Sequence, residues 1–158
     1  MTKDVINPFD PEKNPCFGCG PSNQCGLKLK FEESDDEVFT RWEPVPHFQG
    51  YINVLHGGII ATLLDEIAAW YVQVKLGTSG VTSELKVKYL HPVHISKGRV
   101  RASATLIRKE GRSAVLKSIL RDGESKICAE AEATFFIYPE EVAKARLMYP
   151  GKEAFRSK

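Results

Sequence analysis

The fold is decided by HGGIIATLLDEIAAWYVQV, residues 56–74, the only long helical pattern before the C-terminal tail. Its apolar residues fill most of every turn, which predicts a helix that is buried on nearly all sides. Asp65 and Glu66 break the run, so it does not reach the roughly 18 apolar residues that a membrane span needs. The sequence therefore predicts one long core helix with an acidic pair at its middle and a Gly-Gly pair at its start.

Short strand patterns lie on both sides of this helix. Apolar and polar residues alternate over 27–32 and again over 38–42, which predicts a hairpin. Four more strand-like segments follow the helix, separated by turn signals such as Asp122-Gly123: residues 81–90, 98–110, 112–120 and 126–138. Such short connections favour antiparallel pairing. The expected fold class is α+β, with about six strands curled around the helix and a short helix beginning at Pro139.

The length and composition of the chain indicate a single folded domain. With 158 residues, 42% of them hydrophobic and 27% charged, the chain can bury a core of its own. Residues 1–26 are expected to form an irregular arm, residues 27–138 the domain, and residues 139–158 a short helix and a polar tail. A net charge of +2 gives no reason to expect nucleic acid as a partner. The N-terminus lacks a signal-peptide pattern, so a cytoplasmic protein is expected.

The arm contains a cysteine-rich segment, CFGCGPSNQCG, at residues 16–26. Cys16 and Cys19 have the spacing of a zinc knuckle, but the second half of such a site is missing from the sequence. Cys25 comes shortly afterwards, and the remaining cysteine, Cys128, lies in a predicted strand. A turn of packed, reduced thiols is therefore expected here rather than a metal site.

The start of the helix and its polar positions can support chemistry. A helix N-terminus presents N–H groups that can polarise a carbonyl, and Gly57 and Gly58 let a substrate approach that backbone. The same glycines also suit a tight turn into the helix. Thr62, Asp65 and Glu66 lie on the same face as Gly58. This stripe is either a solvent-exposed face or the lining of a site in which a carboxylate acts as base or nucleophile.

Spacing limits how these groups can act together. Asp65 lies seven residues beyond Gly58, which is about 10 Å along the helix axis at 1.5 Å per residue. Both groups cannot contact one carbonyl centre, because groups that act on a reacting atom lie about 3 Å from it. If both take part, the simplest arrangement is a two-fold dimer in which the helix start of one subunit faces Asp65 of the other.

Several stretches of the sequence resemble a known family. HGGIIATLLDE, with an acid nine residues after the histidine, resembles the hotdog-fold acyl-CoA thioesterases of the phenylacetyl-CoA (PaaI-like) branch. The similarity extends to TSELKVKYLHPV, to EGRSAVLKSILRDGESKICAEAEATFFIY and to the N-terminal segment CFGCGPSNQCGLKLKF. The resemblance implies a long helix wrapped by an antiparallel sheet, a homodimer with composite sites and often a tetramer. It also implies hydrolysis of acyl-CoA without a metal or a cofactor.

The resemblance also assigns roles by position. Asp65 matches the catalytic carboxylate, and Gly58 matches the residue whose N–H polarises the thioester carbonyl. His56 matches the residue that shapes the turn before the helix. Gln49 lies near a position where many members carry an amide that holds the thioester or the water, and Thr82 matches a hydroxyl residue that positions the water.

Further residues are candidates for contacting the substrate or its CoA moiety. Those next to the catalytic positions are Gly57, Glu66 and Ser83, and those at predicted strand ends and turns are His91, Lys97, Arg99 and Arg112. His91 stands where the family often has Arg or Lys, and an imidazole is a weaker phosphate contact than a permanent cation. The three basic residues can supply that charge, or they can be solvated side chains at strand ends.

Two other functions fit parts of the sequence. His47-Phe48-Gln49-Gly50 is similar to the HFPG signature of hydroxyacyl thioester dehydratases on the same fold, but the position of their acid holds Ala61. A non-catalytic acyl-CoA-binding or regulatory module on this fold is the second alternative. Thioester hydrolysis is the hypothesis that accounts for both Asp65 and the glycines at the helix start.

Overall fold

The structure is a computed structural model, and it describes residues 1–157. Its strands and α-helices, in chain order, are β1 (Lys3–Val5), β2 (Phe31–Glu33), β3 (Val38–Trp42), α1 (Gly57–Tyr71), β4 (Gly80–Tyr89), β5 (Val100–Glu110), β6 (Ser113–Arg121), β7 (Ile127–Ile137) and α2 (Glu140–Leu147). A π-helical turn over Val72–Leu76 extends α1. The strands form one antiparallel sheet in the order β1-β2-β3-β5-β6-β7-β4. None of the helices formed by residues 1–157 is long and apolar enough to cross a membrane.

The sheet curls around α1, and this architecture is the hotdog fold that the sequence predicts. α1 packs against strands β3 to β7, and Leu63, Leu64 and Ile67 on the helix are fully buried. Burying one such side chain stabilises the fold by about 1.5–3 kcal/mol relative to leaving it exposed. The Ser118 hydroxyl of β6 donates a buried hydrogen bond of 2.9 Å to the Leu64 carbonyl. Apolar packing and this polar contact together fix the helix inside the sheet.

The N-terminal part of the chain differs from the prediction. Residues 3–5 pair with β2 as a seventh strand, whereas the sequence predicts an irregular arm there and about six strands in all. The alternation over residues 27–31 matches the observed burial, but strand pairing begins only at Phe31. Lys28 has a φ of 53°, which lies outside the range of an extended strand. The apolar residues before β2 are therefore buried by an irregular segment.

β4 lies at an edge of the sheet and passes the middle of α1. Within the part of the chain that the structure describes, it pairs only with β7. Its other side therefore presents a row of unpaired backbone groups. The register shifts between Thr82 and Glu84, which makes Ser83 the extra residue of a β-bulge. Bulges redirect the neighbouring side chains, and this one lies beside the acidic pair of the helix.

Candidate active site

Asp65 lies at the middle of α1, on the side of the helix that meets the edge strand. The Thr82 hydroxyl of β4 donates a hydrogen bond of 2.7 Å to Asp65 Oδ1. The residue is half-buried, and none of the ion pairs among residues 1–157 includes it. A carboxylate offers about four lone-pair positions, so this one can also accept a hydrogen bond from water. The structure thus brings together two residues predicted for the site.

Glu66, the next residue, points away from this position. Its Oε1 accepts a hydrogen bond of 3.1 Å from Trp70 Nε1 and lies 3.7 Å from Cys16 Sγ. Burial under the N-terminal arm raises the pKa of Glu66 to about 7, because an ionised carboxylate is disfavoured away from water. Consecutive residues of a helix lie about 100° apart, and here that angle separates the two acids. The arrangement does not bring Glu66 to the predicted substrate site.

His56 organises the start of α1. Its Nδ1 accepts a hydrogen bond of 2.9 Å from the Gly58 N–H, which is the contact of an N-cap side chain. The Gly58 N–H, predicted to polarise the substrate carbonyl, is therefore already bonded. The Gly57 N–H, one residue earlier, meets no acceptor among residues 1–157. It is the available donor at the positive end of the helix dipole.

A cleft of about 560 Å³ opens beside Gly57. It is lined by the loop before α1, the first turn of the helix and the chain at the end of β4, with Tyr51, Val54, Ile60, Tyr89, Leu90 and His91 among its residues. The lining is mainly apolar. Clefts of this kind bind small molecules, with a few polar groups fixing the orientation of the ligand. Gly57 and His91 bring polar groups to the lining of this cleft.

Tyr89 lines the cleft, and the sequence pattern does not reveal this position. Its hydroxyl donates a hydrogen bond of 2.8 Å to the Gly57 carbonyl, which fastens the end of β4 to the start of α1. In the sequence it is an aromatic residue at a strand end, and nothing in the local pattern places it beside the start of α1. The available signal is its place directly before Leu90-His91-Pro92, where β4 stops. Only the fold shows that this strand end meets the glycine pair.

Gln49 lies near the helix start but outside this cleft. Its Oε1 accepts a hydrogen bond of 3.1 Å from the Asn53 N–H. It lines a shallow depression together with His47, His56 and Gly58. Gln49 thus lies close to His56, while its amide oxygen already holds the loop that leads into α1.

Two of the predicted CoA contacts are already paired with acids. The Lys97 ammonium lies 3.4 Å from Glu124 Oε2 and 3.9 Å from the buried Asp122 carboxylate. Arg99 Nε lies 3.8 Å from Glu43 Oε2 in an exposed pair. The Lys97 ammonium is therefore held against the turn after β6, whereas Arg99 has only one long, exposed ion pair.

Two more of the predicted contacts, Arg112 and Ser83, lie away from the cleft within one subunit. Arg112 lines a separate depression with Leu76, beyond the C-terminal end of α1, at the opposite end of the helix from Gly57. The Ser83 hydroxyl donates a hydrogen bond of 3.1 Å to the Thr134 carbonyl of β7 and so stabilises the bulge next to Thr82. Of the seven predicted contacts, Gly57 and His91 are the two that the fold places at the cleft.

The sequence is similar to known thioesterases. A family model described as the thioesterase superfamily matches residues 52–129, which include α1 and β4. SSO1253 of Saccharolobus solfataricus, which is named as an esterase, is 30% identical over 95 residues, or 60% of this chain and 62% of that protein. The matched segment thus spans less than two thirds of that relative.

Solved structures share the architecture. Thioesterase HI1161 of Haemophilus influenzae superposes with a TM-score of 0.66 at 23% identity, over 76% of this chain and 85% of that chain. The BH2602 protein of Bacillus halodurans, solved with CoA, gives a TM-score of 0.64 at 28% identity, over 72% of this chain and 76% of that chain. These similarities agree with the hotdog fold described above.

Proposed function

Because the chain belongs to the thioesterase superfamily, we propose that it hydrolyses acyl-CoA thioesters to a free acid and CoA. The observation that carries the proposal is the half-buried carboxylate of Asp65, held 2.7 Å from the Thr82 hydroxyl on a mainly apolar helix. A carboxylate positioned in this way, with one oxygen held and no ion pair, can accept a proton from a water molecule that attacks a thioester.

In this mechanism Asp65 acts as a general base. The carboxylate takes a proton from water while the water oxygen attacks the thioester carbonyl carbon, which forms a tetrahedral intermediate. Collapse of the intermediate breaks the C–S bond, and the proton passes to the CoA sulfur as the thiol leaves. The Thr82 hydroxyl holds one carboxylate oxygen, which leaves the other to bind the water.

Direct nucleophilic attack by Asp65 on the thioester carbonyl is the alternative mechanism. It expels CoA first and leaves a mixed anhydride, which water then hydrolyses. A single turnover in heavy-oxygen water tests for an anhydride that is hydrolysed at the aspartyl carbon. Direct attack of water on the thioester places the label only in the released acid, whereas this anhydride route labels Asp65 and transfers an original aspartate oxygen to the acid.

The Gly57 N–H is proposed to polarise the thioester carbonyl. The adjacent Gly58 N–H is bonded to His56 Nδ1, so Gly57 carries the available donor beside the cleft. The helix dipole adds positive potential at this end. One well-placed N–H at a developing oxyanion contributes about 10²–10³ in rate. Gly58 then has a supporting role, because its N–H keeps the histidine cap in place.

Asp65 and Gly57 can act on one substrate only if two subunits share the site. They are eight residues apart, about 12 Å along the helix axis, too far for both to contact one carbonyl centre. The edge strand β4 offers a surface for a partner, since it carries the exposed apolar residues Val81 and Tyr89. Pairing β4 with a two-fold-related copy joins the sheets and gives two equivalent sites, each with Asp65 from one subunit and Gly57 from the other.

The cleft beside Gly57 is proposed to take the thioester end of the substrate. One neighbour, the BH2602 protein, was solved with CoA, and His91 lies where a polar group of such a ligand can be contacted. Exposed ion pairs contribute only about 0–1 kcal/mol. Arg99 can therefore exchange its exposed contact with Glu43 for a CoA phosphate.

A panel of short-chain, long-chain and aromatic acyl-CoAs tests the proposal. Free thiol is measured after incubation with the protein, and the reactivity of the protein's own cysteines is subtracted using samples without substrate. We expect release from at least one class of acyl-CoA by the wild type. Glu66→Gln, which removes the neighbouring charge, is the matched control for Asp65→Asn.

The outcomes separate the two functional hypotheses. Undiminished release by Asp65→Asn contradicts the mechanism. Acyl-CoA binding in calorimetry without release from any acyl-CoA identifies the non-catalytic binding module instead.

A further inference from the structure

The cysteine-rich loop of the N-terminal arm lies against the middle of α1. The Sγ atoms of Cys16 and Cys19 and a carboxylate oxygen of Glu66 all lie within 4.8 Å of one another. Cys19 is buried, and Cys16 and Glu66 are half-buried. The loop and the helix thus place three groups that can act as metal ligands at one point, and the proposed hydrolysis uses none of them.

We propose that Cys16, Cys19 and Glu66 bind one Zn²⁺ ion, which fastens the arm to the central helix. Thiolate sulfur and carboxylate oxygen are both zinc ligands, and a Cys-x-x-Cys pair is the usual half of a structural site. Zinc–sulfur bonds of about 2.3 Å place two tetrahedral sulfurs about 3.8 Å apart. The ligand atoms therefore need to move by about an ångström at most. Water fills the fourth position.

The loop is shaped to bring its sulfurs onto Glu66. A Cβ at Gly18 would lie 2.5 Å from Glu66 Cδ, and a Cβ at Gly20 would lie 2.5 Å from the Cys16 nitrogen. A side chain at Gly18 would displace Glu66, and one at Gly20 would require the loop to move. The Gly20 N–H closes the turn with a hydrogen bond of 2.8 Å to the Cys16 carbonyl. Backbone contacts therefore hold the knuckle in place before any metal binds.

The charge of this group of side chains favours a cation. All three side chains are acids, and no ion pair among the described residues includes Glu66. Three acids in contact cannot all ionise without a compensating positive charge, and a divalent ion supplies it. Trp70 Nε1 donates a hydrogen bond of 3.1 Å to Glu66 Oε1. Contacts of this kind orient the ligands of metal sites.

A disulfide between Cys16 and Cys19 is the competing use of the same thiols. It would need only the two sulfurs and would give no role to the carboxylate packed against them. A zinc site uses all three groups. Cys25 is exposed and stands outside the ligand group, which makes it a suitable control.

Zinc content is the first test, and it is independent of activity. The protein is purified without chelator, and zinc is measured by mass spectrometry in the wild type, Cys16→Ser, Cys19→Ser and Cys25→Ser. We expect about one zinc ion per chain in the wild type and in Cys25→Ser, and less than about a tenth of that in the other two variants. Equal zinc content in all four proteins overturns the proposal.

Cobalt binding by the wild type is the second test, because a variant can lose metal simply by misfolding. Chelator-treated, reduced protein is titrated anaerobically with Co²⁺ alone. We expect saturation at about one equivalent, with a thiolate-to-cobalt charge-transfer band and the visible bands of a tetrahedral site. Glu66→Gln keeps both thiols and should weaken binding at least about tenfold. A wild-type titration without saturation or charge transfer overturns the proposal.

Discussion

Asp65 and Glu66 are adjacent in the sequence, yet the fold gives them opposite surroundings. Asp65 meets the edge strand, where the Thr82 hydroxyl holds it at 2.7 Å and water can reach it. Glu66 meets the N-terminal arm, where burial raises its pKa to about 7. Two adjacent carboxylates on one helix can thus differ in solvent access and hydrogen bonding, because a different element packs against each side chain.

Neutralising the two acids separately gives the largest predicted effect. Asp65→Asn keeps the size of the side chain and removes the base, so kcat/KM for the best acyl-CoA should fall by about 10²–10⁴-fold. Glu66→Gln touches no reacting group and should stay within about threefold of the wild type. Thiol-release kinetics measure both, with circular dichroism as the check on folding. Similar losses in the two variants would contradict this division of roles.

The next largest effect is expected at the start of α1. Gly57→Pro removes the proposed donor, and proline is tolerated in the first turn of a helix. His56 has a ψ of 134°, which is the extended backbone that a residue before proline prefers. We expect kcat/KM to fall by about 10²–10³-fold.

Gly57→Ala is the control for this prediction, because it keeps the N–H. A Cβ at this position meets the Tyr89 ring at 3.5 Å, an ordinary contact, so activity should change little. Gly58→Pro removes the N–H that donates a hydrogen bond to His56 Nδ1. A larger loss in Gly58→Pro than in Gly57→Pro would return the polarising role to Gly58.

Thr82 is expected to matter less than Asp65, because it acts only by holding the carboxylate. Thr82→Val removes the hydroxyl at nearly constant size and should lower kcat about tenfold with little change in KM, as expected for one lost hydrogen bond to a charged group. Thr82→Ser keeps the hydroxyl and should retain most of the activity. If Ser and Val behave alike, the hydroxyl does not position the base.

The smallest predicted effect is a pH dependence of stability that belongs to Glu66. Its pKa rises from 4.5 to about 7 in the folded protein, so the native state holds this proton more tightly than the unfolded chain does. The resulting stabilisation is complete below about pH 4.5 and is lost as the pH rises through about 7.

Thermal unfolding in the presence of chelator measures this effect. The midpoint of the wild type should fall by several degrees over that interval relative to Glu66→Gln, which cannot ionise. A difference between the two midpoints that does not change with pH would show that Glu66 ionises as it does in the unfolded chain.

Most of the fold follows from local patterns in the sequence. The helix predicted over 56–74 is α1 with its π-helical extension, and the four later strands lie within a few residues of their predicted limits. β1 is different, since three residues, Lys3–Val5, carry too little pattern to identify. Their extended conformation depends on pairing with β2, a contact between distant parts of the chain.

The candidate site is predictable only in part, for the same reason. Asp65 and Thr82 follow from the family resemblance, and the fold brings them into contact. The different surroundings of Asp65 and Glu66 depend on where the N-terminal arm packs against α1. The spacing of residues along the helix does not predict that position. The arm supplies only two of the three proposed zinc ligands, because the third, Glu66, lies 50 residues from Cys16.

The shared site is tested most directly by mixing two inactive subunits. Asp65→Asn and Gly57→Pro chains carrying different affinity tags are co-expressed, and the mixed dimers are purified on both tags. The mixed dimer should recover about half of the wild-type activity, because one of its two sites joins an intact Asp65 to an intact Gly57. Purified mixed dimers without activity would contradict a site built from two subunits.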